Sequence, residues 1–224
     1  MQCEVVCEGA YAAARILLSP GEQVNTEPGA MLAMSKTLKL EGKVFGGGIG
    51  TMVSKFLTGS SVRTQTIKAG NTAGELYLAP AMPGDICVKE LNAGEEIYLN
   101  HGCYLASSPT VKYSIKILQP LKALLGGNDF AMQSLTGPGT VVFSSFGSII
   151  HRRIAPGLDY VVDNEHLIAW SASLKYSVEK SSSGIFSSYL SEGLVYTLQG
   201  PGDVYFQTRG PGALAKYLEE TTKK

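Results

Sequence analysis

Hydrophobic and polar residues alternate along three separate segments of this chain, which predicts three similar β-strands. Segment 37–43 places Leu38 and Leu40 between polar residues, and the same alternation recurs in segments 111–116 and 174–179. A period of two puts alternate side chains on a buried face and on a solvent face. We therefore expect Leu38 and Leu40 to point into a core.

Each alternating segment closes a longer block that occurs three times without a gap, at Leu18–Lys43, Leu91–Lys116 and Ile154–Glu179. The blocks share a turn glycine, an aliphatic residue followed by alanine, and a lysine: Gly21, Gly94 and Gly157; Leu32, Leu105 and Ile168; Ala33, Ala106 and Ala169; Lys39, Lys112 and Lys175. Pro20-Gly21 suits a type II turn, whose second central residue needs a positive φ. Each block is predicted to be a compact antiparallel meander.

A shorter segment with a proline–glycine pair also recurs before β-rich apolar residues, at Pro83-Gly84, Pro138-Gly139 and Pro201-Gly202. These patterns predict an all-β fold with a few short helices, expected at 51–57, before Gly126-Gly127 and in the tail 212–224. Three tandem β-units, each a β-sandwich or short double-stranded β-helix, would span residues 1–90, 91–153 and 154–224. Because one such unit alone buries a thin core, we expect the three to pack about a pseudo-threefold axis.

Charge and composition exclude several classes of protein. Lysine plus arginine equal aspartate plus glutamate at 19 each, so the whole molecule has no general attraction to nucleic acid or to anionic membranes. No apolar run approaches the roughly 20 residues that span a bilayer. Glu4 and Glu8 stand where a signal peptide carries basic residues, which favours a cytoplasmic protein. The four cysteines fit reduced, mostly buried thiols better than disulfides.

Candidate catalytic, cofactor and metal groups are sparse, and we predict none of these sites. The run GGGIGTM after Phe45 lacks the spacing of phosphate-binding loops, and no G-x-S-x-G is present. Cys103 near His101 is interpreted as a buried thiol rather than as a nucleophile with its base. A metal site would need Asp163, Glu165 and His166 to converge near one turn.

Two surface features remain as candidate contacts. The equivalent lysines Lys39, Lys112 and Lys175 would present a cationic ring to an anion or RNA, or they are solvated lysines that protect strand edges from mispairing. Apolar side chains on one side of the first predicted helix would contact a membrane or partner, or would pack into a core or subunit contact. These four residues are Met52, Val53, Phe56 and Leu57.

The order of several motifs resembles the altered-inheritance-of-mitochondria type 24 family over almost the whole chain. The motifs are PGE at Pro20, EPGAM at Glu27, GGG at Gly46 followed by a short helix and TG, LAPAMPGDI at Leu78, SLTGPGTV at Ser134, and SEGLVYTLQGPGDVYFQTR at Ser191. The resemblance implies three fused copies of the fold of the tryptophan RNA-binding attenuation protein, and trimeric association. Fungal members are mitochondrial and linked to inner-membrane organisation, and no catalytic motif carries over.

The function that these patterns favour is non-enzymatic binding or scaffolding through an oligomeric, β-rich surface. The expected partner is a second copy of the chain, with a homotrimer favoured, and further protein partners. An RNA-binding module and a peripheral membrane protein stay open as alternatives. A small-ligand protein or an enzyme is the remaining one, and it would need a deep polar pocket around Asp163, Glu165 and His166.

Overall fold

The computed structural model describes residues 1–41, 64–117, 131–180 and 194–222, which form nineteen strands and one helix. The strands are β1 (Gln2–Val6), β2 (Ala13–Leu18), β3 (Gln23–Thr26), β4 (Met31–Met34), β5 (Leu38–Glu41), β6 (Gln65–Ala69), β7 (Gly74–Leu78), β8 (Ile86–Leu91), β9 (Glu96–Leu99), β10 (Tyr104–Ser107), β11 (Lys112–Ile117), β12 (Ala131–Thr136), β13 (Gly139–Ser144), β14 (Ile149–Ile154), β15 (Asp159–Asp163), β16 (Leu167–Ser171), β17 (Lys175–Lys180), β18 (Leu194–Gln199) and β19 (Gly202–Gln207). The helix is α1 (Pro211–Thr222). The mostly-β prediction and the C-terminal helix are confirmed. The other two predicted helices lie outside the described residues.

The internal repeat reappears as three sets of six strands in the same order. We call β2–β7 the first unit, β8–β13 the second unit and β14–β19 the third unit. Their blocks begin with the predicted turns, because Gly21, Gly94 and Gly157 have φ values of 80°, 78° and 78°. In each turn the amide after the glycine bonds to the carbonyl three residues earlier. The predicted boundaries after residues 90 and 153 fall within β8 and β14.

The alignment of the proline–glycine segments is correct for two of the three copies. Gly139 and Gly202 begin β13 and β19, and a side chain added at either would meet Val111 or Leu174. In the first unit Leu38 is equivalent to Val111 and Leu174, and the glycine that lies against Leu38 is Gly74, at the start of β7. The longer turn between β6 and β7 therefore replaces the proline–glycine turn in the first unit. The Pro83-Gly84 pair instead precedes β8.

The strands form four sheets, and two of these run from one unit into the next. Sheet 1 has the order β1-β2-β7-β4, sheet 2 β5-β6-β3-β10-β13-β8, sheet 3 β11-β12-β9-β16-β19-β14 and sheet 4 β15-β18-β17. Sheet 2 joins the first and second units through antiparallel β3 and β10. Sheet 3 joins the second and third units through β9 and β16. The units are therefore linked by continuous backbone hydrogen bonding.

Each junction also shares hydrophobic residues between units. Leu105 and Ala106 of β10 belong to the core cluster of the first unit. Their counterparts Ile168 and Ala169 of β16 belong to the core cluster of the second unit. The second and third units therefore each complete the core of the preceding unit with the same pair of positions.

The prediction that each block is an antiparallel meander is wrong, because β3 pairs with β6 and β4 with β7, so consecutive strands of a block do not pair. The expectation for Leu40 is also not met. Leu40, predicted to point inward, is 52% exposed, because no earlier unit lies beside the first one. Its equivalent Tyr113 is half-buried and lines a cavity together with Asn25 of the preceding unit. Strand pairing links the first unit to the second and the second to the third, and no described strand links the third back to the first. The pseudo-threefold arrangement is therefore not confirmed.

Candidate functional site

The first and third units each have one strand edge without a neighbour among the described strands. The equivalent edges elsewhere in the molecule are paired. Strands β10 and β16 each have neighbours on both sides, whereas their counterpart β4 pairs with β7 alone among the described strands. Likewise, β3 and β9 have two neighbours each, whereas β15 pairs only with β18 within the described part of the chain. Free edges expose backbone N–H and C=O groups that can pair with another strand. We call β4 and β15 the terminal edges.

The terminal edges carry exposed apolar side chains, and at one of these positions, Leu32, the equivalent residues of the other two units are buried. Leu32 is 61% exposed, whereas its counterparts Leu105 and Ile168 are both 0% exposed. On the opposite edge, Val161 is 60% exposed, and Leu158 immediately before β15 is also exposed. Exposed aliphatic residues on an unpaired strand are typical of a surface that is covered by another chain.

The two internal junctions specify how the terminal edges would pair. At the first junction the amide of Glu27 donates to the carbonyl of Leu105 at 2.9 Å, and at the second the amide of Asn100 donates to the carbonyl of Ile168 at 2.7 Å. Trp170 lies opposite Tyr98 in the second junction. By the repeat alignment, the corresponding pairs are the Asp163 amide with the Leu32 carbonyl, and Met34 opposite Val161.

The three candidate lysines lie at equivalent, exposed positions, one on each of three sheets. Lys39 is on β5, Lys112 on β11 and Lys175 on β17, each an edge strand. No ion pair reaches any of the three from the residues that the structure describes. Lys39 stands opposite Lys68 on the neighbouring strand, which concentrates positive charge there. The candidate apolar contacts Met52, Val53, Phe56 and Leu57 lie outside the described residues.

A cleft of about 460 Å³ lies where strand ends of all three units meet, and we call it the rim cleft. Asn164 and Glu165 line it, as does Glu27 of the first unit. The Asp163 carboxylate accepts a hydrogen bond from the nearby Glu165 amide at 2.8 Å. The His166 ring donates from Nδ1 to the Gln207 carbonyl at 2.7 Å. The structure therefore brings only Glu165 of the three predicted residues to the cleft.

The chemistry of the rim cleft does not indicate a catalytic centre. Cys103 and His101 both line it, but burial raises the pKa of the Cys103 thiol to about 12, so the thiol stays protonated at neutral pH. Within residues 1–41, 64–117, 131–180 and 194–222, no group of three or more His, Cys, Asp or Glu is placed to hold a metal ion. What the cleft does supply is a half-buried carboxylate at Glu27.

Sequence reasoning missed the terminal edges as the candidate site, although a signal was present. The aligned positions Leu32, Leu105 and Ile168 were recognised as equivalent, and equivalence predicts the same burial for each. A linear series of three units has two ends, so one copy of each shared edge must lack its neighbour. The shared edge is recognisable only from the pairing of β3 with β10 in the structure.

Three comparisons place the chain among known proteins. A family model described as mitochondrial biogenesis AIM24 matches residues 3–209. An uncharacterised protein of Streptococcus pyogenes serotype M6 is 32% identical over 214 residues, covering 90% of this chain and 84% of that protein. The crystal structure of another Streptococcus pyogenes protein is similar with a TM-score of 0.80 and 26% identity, covering 98% of this chain and 99% of that one. Among the described helices, none is long and apolar enough to cross a membrane.

Proposed function

The chain belongs to the mitochondrial biogenesis AIM24 family, and from this premise we propose that it is a non-enzymatic cytoplasmic scaffold that works as a head-to-tail homo-oligomer. In this proposal β4 of one copy pairs with β15 of the next, and a closed trimer is the expected assembly. The β-rich surface of the assembly then binds protein partners. Such an interface is heterologous, since different surfaces of the two copies meet.

The observation that carries the proposal is the exposure of Leu32. Its counterparts Leu105 and Ile168 are fully buried in the core of the preceding unit. In the assembly, Leu32 would enter the core of the third unit of a neighbouring copy in the same way. The third unit's own cluster includes Val162 of β15, next to the free edge that Leu32 would approach.

Charged substitutions on the two edges test the assembly. Leu32→Lys and Val161→Lys would each force a charge into the new interface, which is costly without a partner. We expect both variants to fall to the mass of a single chain, 23.8 kDa, in light scattering at micromolar concentration, while the wild type forms a trimer. Ile150→Lys is the matched control, because Ile150 is a 43% exposed strand residue away from both edges.

The scaffolding role is tested with the same three variants after the assembly result. Affinity capture from the native cell should recover a partner with the wild type and with Ile150→Lys, and lose it with Leu32→Lys. A partner that binds the single-chain variant equally well would contradict a role for the assembly. A wild type that is already a single chain would refute the oligomer itself.

RNA binding is the second candidate function, and the exposed, equivalent lysines favour it. A triple variant with Lys39, Lys112 and Lys175 changed to alanine should weaken binding to mixed single-stranded RNA and reduce its salt dependence. Gel-shift titrations at two salt concentrations measure both effects. Unchanged affinity in the triple variant would remove the lysines from any RNA contact.

A further inference from the structure

The junction between the second and third units is filled by the indole of Trp170. This side chain is 0% exposed, and its ring centroid lies 5.7 Å from that of Tyr98, 6.2 Å from Tyr176 and 5.5 Å from Tyr196. Tyr98 belongs to the second unit, and the other three residues belong to the third. The aromatic cluster therefore closes the space between the two units.

The junction between the first and second units has a cavity at the corresponding place. Ser107 occupies the position of Trp170, and Asn25 occupies the position of Tyr98, so two large rings are replaced by small side chains. The cavity has a volume of about 280 Å³, and both Ser107 and Asn25 line it. Its size is close to the lower limit of pockets that bind small molecules.

The walls of this cavity are aromatic on one side and polar at one end. Tyr104 and Tyr113 stack with centroids 4.9 Å apart, and both line the cavity. The hydroxyl groups of Tyr104 and Ser107 share a hydrogen bond of 2.9 Å, and the Tyr104 hydroxyl donates to the Asn25 carbonyl at 3.2 Å. Lys112 also lines the cavity, and its side chain is exposed to solvent.

We propose that the Ser107 cavity is a binding site for a small planar aromatic carboxylate. The aromatic ring takes the place that the Trp170 indole fills in the next junction, against the tyrosine wall. The carboxylate faces Lys112, the one cationic residue in the cavity lining. The candidate lysines therefore have different roles. Lys112 lies beside the open cavity of the first junction, whereas the Trp170 side chain already fills the corresponding space at the second junction.

Calorimetric titration with indole-3-carboxylate and with neutral indole tests the site on the full-length protein. We expect one molecule of indole-3-carboxylate to bind per chain, more tightly than indole. Ser107→Trp should lower the affinity for indole-3-carboxylate at least about tenfold, because the new side chain fills the cavity as Trp170 does. Lys112→Ala should reduce the affinity for the carboxylate to that for indole and leave indole itself unchanged.

Lys175→Ala is the matched control for the charge, since Lys175 is the equivalent lysine beside the filled junction. Ser107→Phe is a second filling variant if Ser107→Trp fails to fold, and its melting temperature reports whether the cavity accepts a ring. No heat of binding in the wild type would overturn the proposal. Equal binding by wild type and a folded filling variant would overturn it as well, because the ligand would then lie elsewhere.

Discussion

At the residue scale, Glu27 is a half-buried carboxylate at the first junction, and desolvation raises its pKa above the ordinary value. A carboxylate whose folded pKa lies above its unfolded pKa lowers stability when it ionises, so the native state loses stability as the pH rises through both values. We therefore expect Glu27→Gln to raise the melting temperature at pH 7 and to have no effect near pH 4. Thermal unfolding at both pH values measures the difference.

Glu95 provides a control of opposite sign on the second unit. The Asn92 amide hydrogen bond, opposed in part by desolvation, and nearby Lys89 lower its pKa. Its contribution to stability is present above the unfolded pKa and is lost as the pH falls through the folded value. Glu95→Gln should thus lower the melting temperature at pH 7 and leave it unchanged in acid. The same sign for both variants would contradict the assignment for Glu27.

Also at the residue scale, the cysteines should differ in reactivity by burial. Burial raises the pKa of Cys3 and Cys87 to about 11, whereas Cys7 is exposed at the end of β1. Because the thiolate is the reactive form, we expect iodoacetamide at pH 8 to modify Cys7 first and Cys103 only after unfolding. Mass spectrometry of the peptides at timed intervals gives the order. Early modification of Cys103 in the folded protein would contradict its burial.

At the scale of elements, the loop between β7 and β8 touches the second unit too closely for any side chain. A Cβ added at Gly84 would lie 1.6 Å from the carbonyl oxygen of Ser145, and Gly84 forms a parallel bridge with Gly147. Backbone atoms cannot move away as a flexible side chain would. We expect Gly84→Ala to cost about 1–3 kcal/mol in free energy of unfolding, measured by urea denaturation.

Gly70→Ala is the control for this loop, because the nearest atom to an added Cβ there is 4.0 Å away. Gly70 lies in the turn between β6 and β7, and its backbone does not require a positive φ. A small change for Gly70→Ala beside a large one for Gly84→Ala would locate the cost at the contact with Ser145. Similar losses from both variants would show that the turns, and not the contact between units, dominate.

Local elements were predictable from the sequence, whereas contacts between units were not. The turn at Gly21 follows from its own two residues, because Pro20 presets the first central position and Gly21, which lacks a Cβ, accepts the positive φ of the second. The exposure of Leu40 depends on which unit lies beside which. The different turn before Gly74 lies within the first unit, and the sequence alignment missed it because no proline–glycine pair marks it. The alternation of apolar and polar residues seen at Leu38 and Leu40 occurs in all three copies, so it cannot show which copy has an uncovered face. Only the pairing of β3 with β10 reveals that the first copy has no predecessor.

At the scale of the whole molecule, the two terminal edges are complementary in kind. Strand β4 is the counterpart of β10 and β16, and β15 is the counterpart of β3 and β9, so the free edges are the two halves of a junction that the chain makes twice internally. Repeating the same junction between chains gives a ring if the rotation closes and a filament if it does not. Both assemblies bury Leu32, and they differ in whether the chain number is fixed.

Engineered cysteines distinguish these assemblies and test the register of the interface. Met34 and Val161 correspond to Trp170 and Tyr98, which lie directly opposite each other, and opposed positions are close enough for a disulfide. In a Cys7→Ser background, Met34→Cys with Val161→Cys should form intermolecular disulfides on mild oxidation. Non-reducing electrophoresis should show bands that end at three chains for a closed trimer, whereas a filament would give a continuing ladder.

Met34→Cys with Leu158→Cys is the control for register, because Leu158 is also exposed but lies outside β15. Equal cross-linking in both pairs would contradict a specific β4–β15 register, since only random collisions treat the two positions alike.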